Sequence, residues 1–311
     1  MKTIFLPKTL LLIVFGIFSM GNLRGQQLIN EIKLDDNLSD VVGIQAFPNN
    51  WFFATAHKNG EILIWDIYEK KAIKRIDTGK PIKSIRINAV ESSPKLLIVH
   101  DESFALYDVK SREMINSIPH NLEETSYENI YFQRYNIFRL VLTSSQYLRE
   151  YDLNKNELTS RIFEGHQPRY WSSQDIVISE EENTIHLSTR ISQSPFYSIK
   201  VNQQLHGITY STDAKILMVL DGSTAFIHDF NLKKEIGNIK VTEGITGTSV
   251  MEANKFLLHA GNKFYLYDPK SNSSTTFSLN HAVDRVCSMP GEPIFVTLEG
   301  KNVRVYRTSE N

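Results

Sequence analysis

Along most of the chain, apolar residues come in short runs with period-two alternation, broken by turn residues. Representative runs are residues 61–65 (EILIW), 95–100 (KLLIVH), 216–220 (ILMVL) and 293–297 (PIFVT). Asn59-Gly60, Asp221-Gly222, Gly261-Asn262 and Glu299-Gly300 punctuate them, as turn formers do between paired strands. Beyond the N-terminal segment no apolar spacing of three and four residues is sustained, so the pattern predicts an all-β protein with few helices.

One element recurs: alternating apolar residues, then a ring-bearing residue, then usually aspartate. It is seen at Trp65-Asp66, Tyr107-Asp108, Tyr151-Asp152, His228-Asp229 and Tyr267-Asp268, with a degenerate copy at Tyr306-Arg307. The ring-bearing positions 65, 107, 151, 228, 267 and 306 lie 42, 44, 77, 39 and 39 residues apart. The long interval hides one copy, placed at Ile185-His186-Leu187-Ser188, which makes seven units. A period of roughly 40–45 residues with four strands per unit is that of propeller blades.

The unit around Gly60 to Asp66 resembles the WD40 repeat, with its Trp65-Asp66 pair, and the family's Gly-His dipeptide appears at Gly165-His166. The resemblance spans residues 26–311 and implies a single domain of seven four-stranded antiparallel blades. It also implies closure by an N-terminal strand: residues 27–34 read as an orphan outer strand, and the last unit stops at its third strand, 302–306. The aspartate usual in the turn before the third strand is replaced by Asn59, Ser145 or glycine in several units. The family's hydrogen-bonded tetrad is therefore expected to be incomplete in most blades.

Residues 1–25 read as an export signal. Lys2 and Lys8 precede the apolar run 10–18, and small residues follow, with cleavage after Gly21 or after Gly25. The run is about half the ~20 residues a membrane-spanning helix needs. The expected mature protein is periplasmic or extracellular, monomeric and without an integral membrane segment.

Composition excludes several functions. A net charge of −1 without a dense basic block argues against nucleic-acid binding. The single cysteine, Cys287, permits no intrachain disulfide and no cysteine-based zinc site, and it sits in an apolar run as a small buried residue does. Of the nine histidines, His57, His100 and His259 end second strands, and His120, His166, His206 and His281 fall between blades. Local turn bonding is the expected role of each, because a wide ring holds them too far apart for one ion. Nucleophile elbows and phosphate loops are missing, and Ser92-Ser93-Pro94-Lys95 reads as a turn. The acidic runs Glu123-Glu124 and Glu180-Glu181-Glu182 read as solvated turns.

The first strands are poor in carboxylates and histidines, Asp284 being the main exception. The expectation is a non-catalytic platform for a protein partner or ligand, with no cofactor and no metal. A propeller hydrolase or lyase with a site at the channel mouth is the alternative. The units that depart most from the repeat are the third and fourth. They supply the candidate partner-binding residues Tyr131, Arg134, His166, Arg169, Tyr170 and Trp171, aromatic and arginine side chains of the kind that anchor interfaces.

Overall fold

A computed structural model describes residues 26–47, 51–88, 94–133, 136, 138–202, 205–211, 215–241, 243–289 and 291–308. The expected export signal and Arg134 lie outside the described residues.

Seven four-stranded antiparallel sheets form the blades of a propeller. Their inner strands are Val41–Ala46, Ser84–Asn88, Asn129–Phe132, Arg169–Trp171, Leu205–Tyr210, Gly247–Val250 and Arg285–Ser288, in blades one to seven. The recurring element is the third strand of every blade: Glu61–Asp66, Ser103–Asp108, Tyr147–Asp152, Thr184–Thr189, Thr224–Asp229, Lys263–Asp268 and Asn302–Thr308. The hidden copy is thus the third strand of blade four. Two single-turn 3-10 helices, Ser172–Gln174 and Glu252–Asn254, are the helical segments among the described residues.

The recurring chemistry of the repeat has a local cause. Oδ1 of Asp66 accepts the backbone N–H groups of Tyr68 and Glu69 at 2.8 and 2.9 Å. Asp108, Asp152 and Asp229 each take the two corresponding N–H groups, and Asp268 takes that of Lys270. The aspartate therefore folds the turn into the fourth strand. The ring before it reaches the same turn: the hydroxyls of Tyr151 and Tyr267 donate to Oδ1 of Asn156 and Asn272, both in left-handed backbone conformation.

Closure is as the sequence implied. The strand Gln26–Lys33 pairs antiparallel with Asn302–Thr308, completing blade seven, with Gln26 opposite Thr308 and Lys33 opposite Asn302. Each blade remains a separate four-stranded sheet, and this pairing gives the last blade the fourth strand that every other blade has.

Adjacent blades are clasped by side chains as well as packed. Lys74 on the outer strand of blade one donates to the carbonyl of Val109 in the next blade's turn at 3.0 Å. Asn116 of blade two meets Asn156 of blade three at 2.7 Å, and Gln193 of blade four bonds the backbone of both Ile162 and Glu164 of blade three. On blade five, a Cβ at Gly237 would collide with the Tyr267 hydroxyl and Asn272 Oδ1 of blade six, so glycine alone fits there.

Second-strand histidines latch the segments that enter the inner strands. His57 Nδ1 bonds the Ser39 carbonyl at 2.9 Å, His100 Nδ1 the Pro81 carbonyl at 2.8 Å, and His259 Nδ1 the Thr246 hydroxyl at 3.0 Å. In blade one a relay follows: Trp65 Nε1 donates to Thr55 Oγ1, which donates to His57 Nε2. A carbonyl can only accept, so a neutral His57 carries its proton on Nδ1. The relay ends on backbone rather than on a carboxylate, consistent with an incomplete tetrad.

Candidate interaction site at the seam of blades three and four

The ring is uneven in one place. Six of the seven seams hold clusters of eight to fourteen buried apolar residues. Among the described residues, the seam between blades three and four holds six, Tyr131, Val141, Leu148, Phe163, Tyr170 and Val177, beside a cluster of charged side chains. Glu150, on the third strand of blade three, is 2% exposed and pairs with Arg139 Nη1 at 2.9 Å and with Arg190 of blade four. Arg190 Nε in turn contacts Asp175 Oδ1 at 2.8 Å, and the Tyr170 hydroxyl donates to the same oxygen at 2.6 Å. Burial, and after it the neighbouring Arg139 guanidinium, pulls Arg190 below its ordinary pKa. A guanidinium still keeps its charge there, so the network is ionic.

The sequence-selected residues divide around this seam. Tyr131 and Tyr170 meet edge to face across it, with ring centroids 6.1 Å apart. Trp171 points the other way, into the seam between blades four and five. There it stacks on Tyr210 at 4.7 Å and meets Phe230 at 5.2 Å. Tyr170 and Trp171 are 0% exposed, so the expectation that these two rings present surface to a partner is corrected. The physical reason is that both faces of an inner strand are covered, one by the preceding blade and one by the next. Arg169 is half-buried and pairs with Glu180 Oε1 at 3.0 Å, and His166 is exposed.

Towards the channel, the Arg86 guanidinium of blade two lies over the Tyr131 ring at 4.2 Å. Sequence reading missed Arg86; a lone arginine among the apolar residues of an inner strand was the available signal. A cavity of about 430 Å³ is lined by the inner strands of blades one, two, five, six and seven, including Gln45, Ile87, Thr209, Thr248, Ser249 and Ser288. Its hydroxyls pair across blades, Thr209 with Thr248 and Ser249 with Ser288, so they tie the ring together. Burial pushes the Tyr210 hydroxyl and the Cys287 thiol at this wall up to about 12, so both stay protonated at neutral pH. Asp284 accepts the Gly300 backbone N–H at 2.7 Å, which is a turn role.

A second cavity, of about 290 Å³, opens on the outer part of the same seam. Its lining includes Phe163, His166, Ser179, Glu181, His186 and Ser188. His186 Nδ1 contacts Ser198 Oγ at 2.9 Å and its Nε2 lies 3.5 Å from Glu181.

This architecture defines the class: the chain is a seven-bladed β-propeller. No protein-family model matches it, and no curated protein does. Among solved structures, a chain in the crystal structure of the mitotic checkpoint complex is similar, with 12% identity and a TM-score of 0.68 over 91% of this chain and 92% of that one. At that identity the likeness is one of fold. Among the described residues no helix is long and apolar enough to cross a membrane.

Proposed function

We propose that this chain is an exported, WD40-like propeller that serves as a protein-interaction platform and not as an enzyme. The observation that carries the reading is the asymmetry of the ring. Six seams are filled with apolar side chains, while the seam of blades three and four is built on ions and opens to solvent as a pocket beside His166 and Arg169. A platform recognises one partner by such a departure from its repeat. A solved chain of similar fold belongs to a protein complex, which supports a protein as the partner class. The WD40 likeness rests on Trp65-Asp66, on Gly165-His166 and on the period. Export rests on the charged, apolar and small-residue order of positions 1–25.

The test is capture from the envelope fraction of the source cell with the mature chain. A protein retained at fixed stoichiometry, and lost with His166→Ala and Arg169→Ala together, supports the reading. A propeller hydrolase or lyase would instead hold a metal at the channel mouth. One tightly bound equivalent, lost on changing Asp284 or His281, would replace the platform with that enzyme.

A further inference from the structure

We propose that the outer pocket of the three–four seam takes the ammonium group of a lysine side chain on the partner protein; this rests on the platform reading. The charge of the pocket is one-sided. Glu164, Glu180 and Glu181 all line it, and no lysine or arginine does. Glu180 is committed to Arg169. Glu181 has His186 at 3.5 Å and is otherwise turned to water, and Glu164 is exposed, with no ion-pair partner among the described residues. Two rim carboxylates are thus left for a cation.

The interior supplies an independent observation. Ser188 is 1% exposed and Ser179 8%, both line the pocket, and neither hydroxyl has a hydrogen-bond partner among the described residues. Both hydroxyls are open to the cavity, where they can accept from a hydrogen-bonding guest. An ammonium has three donors and no acceptor, which matches hydroxyls at depth and carboxylates at the rim. Phe163 and Pro195 are apolar walls for the methylene stem, which buries while its charged head stays among polar groups. Gly165 keeps the wall in place, because a Cβ there would stand 3.0 Å from Phe163 Cε1 and 3.1 Å from Ser179 Cβ. The compact, divergent donors of lysine suit separate hydroxyls better than the flat fork of arginine, which calls for a bidentate acceptor.

The experiment follows the ring signals of isotopically labelled histidine in the mature chain while it is titrated with N-acetyl-lysine N′-methylamide. The expected result is a saturable shift of the His186 signals, absent with the norleucine counterpart. Binding should weaken about ten-fold in a Glu164→Gln, Glu181→Gln double variant, whose changes lie at the rim and leave the fold intact. Equal shifts with norleucine, or undiminished binding in the double variant, overturn the proposal. Tighter binding of the arginine counterpart overturns the ammonium assignment, and tighter binding of putrescine overturns the protein side chain as its source. Partner capture separates the two readings. A partner held equally by wild type and double variant, with no lysine response, sinks the pocket and leaves the platform. A lysine response that the double variant abolishes, with no protein captured, leaves a cation pocket but sinks the platform, and with it the partner's lysine as the guest.

Discussion

The side-chain amide of Asn30 donates to the backbone carbonyl of Ile67 across 2.5 Å, tying the outer strand of the last blade to a turn of the first. Asn30 is 4% exposed, and it sits where the closing strand is irregular, between Leu28 and Asn30. Replacing it with leucine strands a buried carbonyl. The expected cost is roughly 1–3 kcal/mol, read as a lower urea midpoint. Deleting residues 26–35 should do far more, because it exposes the edge of Asn302–Thr308 as a template for pairing with other chains. Aggregation or a collapsed melting transition is expected, and a truncated chain that melts like the intact one contradicts closure.

Trp171→Ala and Arg169→Ala should separate cleanly, although the residues are two apart. Trp171 fills a seam and is fully buried, so its loss should cost about 3–5 kcal/mol. Arg169 holds a partly exposed ion pair, whose loss should cost about 0–1 kcal/mol. Urea unfolding of the two single variants measures both. A stable Trp171→Ala protein would contradict the packing of blades four and five.

That contrast shows what was legible in the sequence. The period was legible because each unit repeats one local device, an aspartate such as Asp66 folding the turn two and three residues ahead. Closure was legible because an unpaired strand at one end matched a missing strand at the other. The histidine latches were legible as turn bonding. The fate of Trp171 was not. Alternation says that Tyr170 and Trp171 face opposite ways, but in a propeller both ways lead into a seam. Nor was the ionic network legible, since Arg139, Glu150, Asp175 and Arg190 come from two blades and share no spacing that marks them as neighbours.

Arg190→Met tests whether this network holds the seam. The substitution removes a 9%-exposed guanidinium that bridges Glu150 and Asp175. It leaves buried carboxylate charge under-compensated, which should cost about 3–5 kcal/mol. Adding Glu150→Met removes the stranded charge and should recover part of that loss. A double-mutant cycle on urea stability is the measurement, with a coupling beyond roughly 1 kcal/mol expected between residues in contact. Additive effects would mean that the two side chains do not act together.

Stability should fall as pH drops from about 7 to about 5, and the buried histidines say why. Burial is the largest influence on His259 and on His228, and it lowers the pKa of each below the ordinary 6.5. His259 is 3% exposed, and its Nδ1 is held at Thr246; His228 is 8% exposed and bonded to the Tyr197 hydroxyl. The folded chain therefore keeps these rings neutral where the unfolded chain protonates them. Below about pH 6.5 the unfolded state binds more protons, so stability declines with falling pH by at most about 1.4 kcal/mol per pH unit for each proton. Above about pH 7 both states are neutral at these sites, and their effect on the pH profile vanishes. The depressed carboxyl of Glu299, lowered chiefly by its hydrogen bond to Arg304, acts in a separate window below about pH 4.5. Urea midpoints at half-unit steps from pH 5 to pH 8 give the profile. His259→Asn keeps a donor near Thr246 and removes one titrating ring, so its profile should be flatter over the acidic half. A wild-type profile that is level or rises toward pH 5 would show that these rings are not held neutral by the fold.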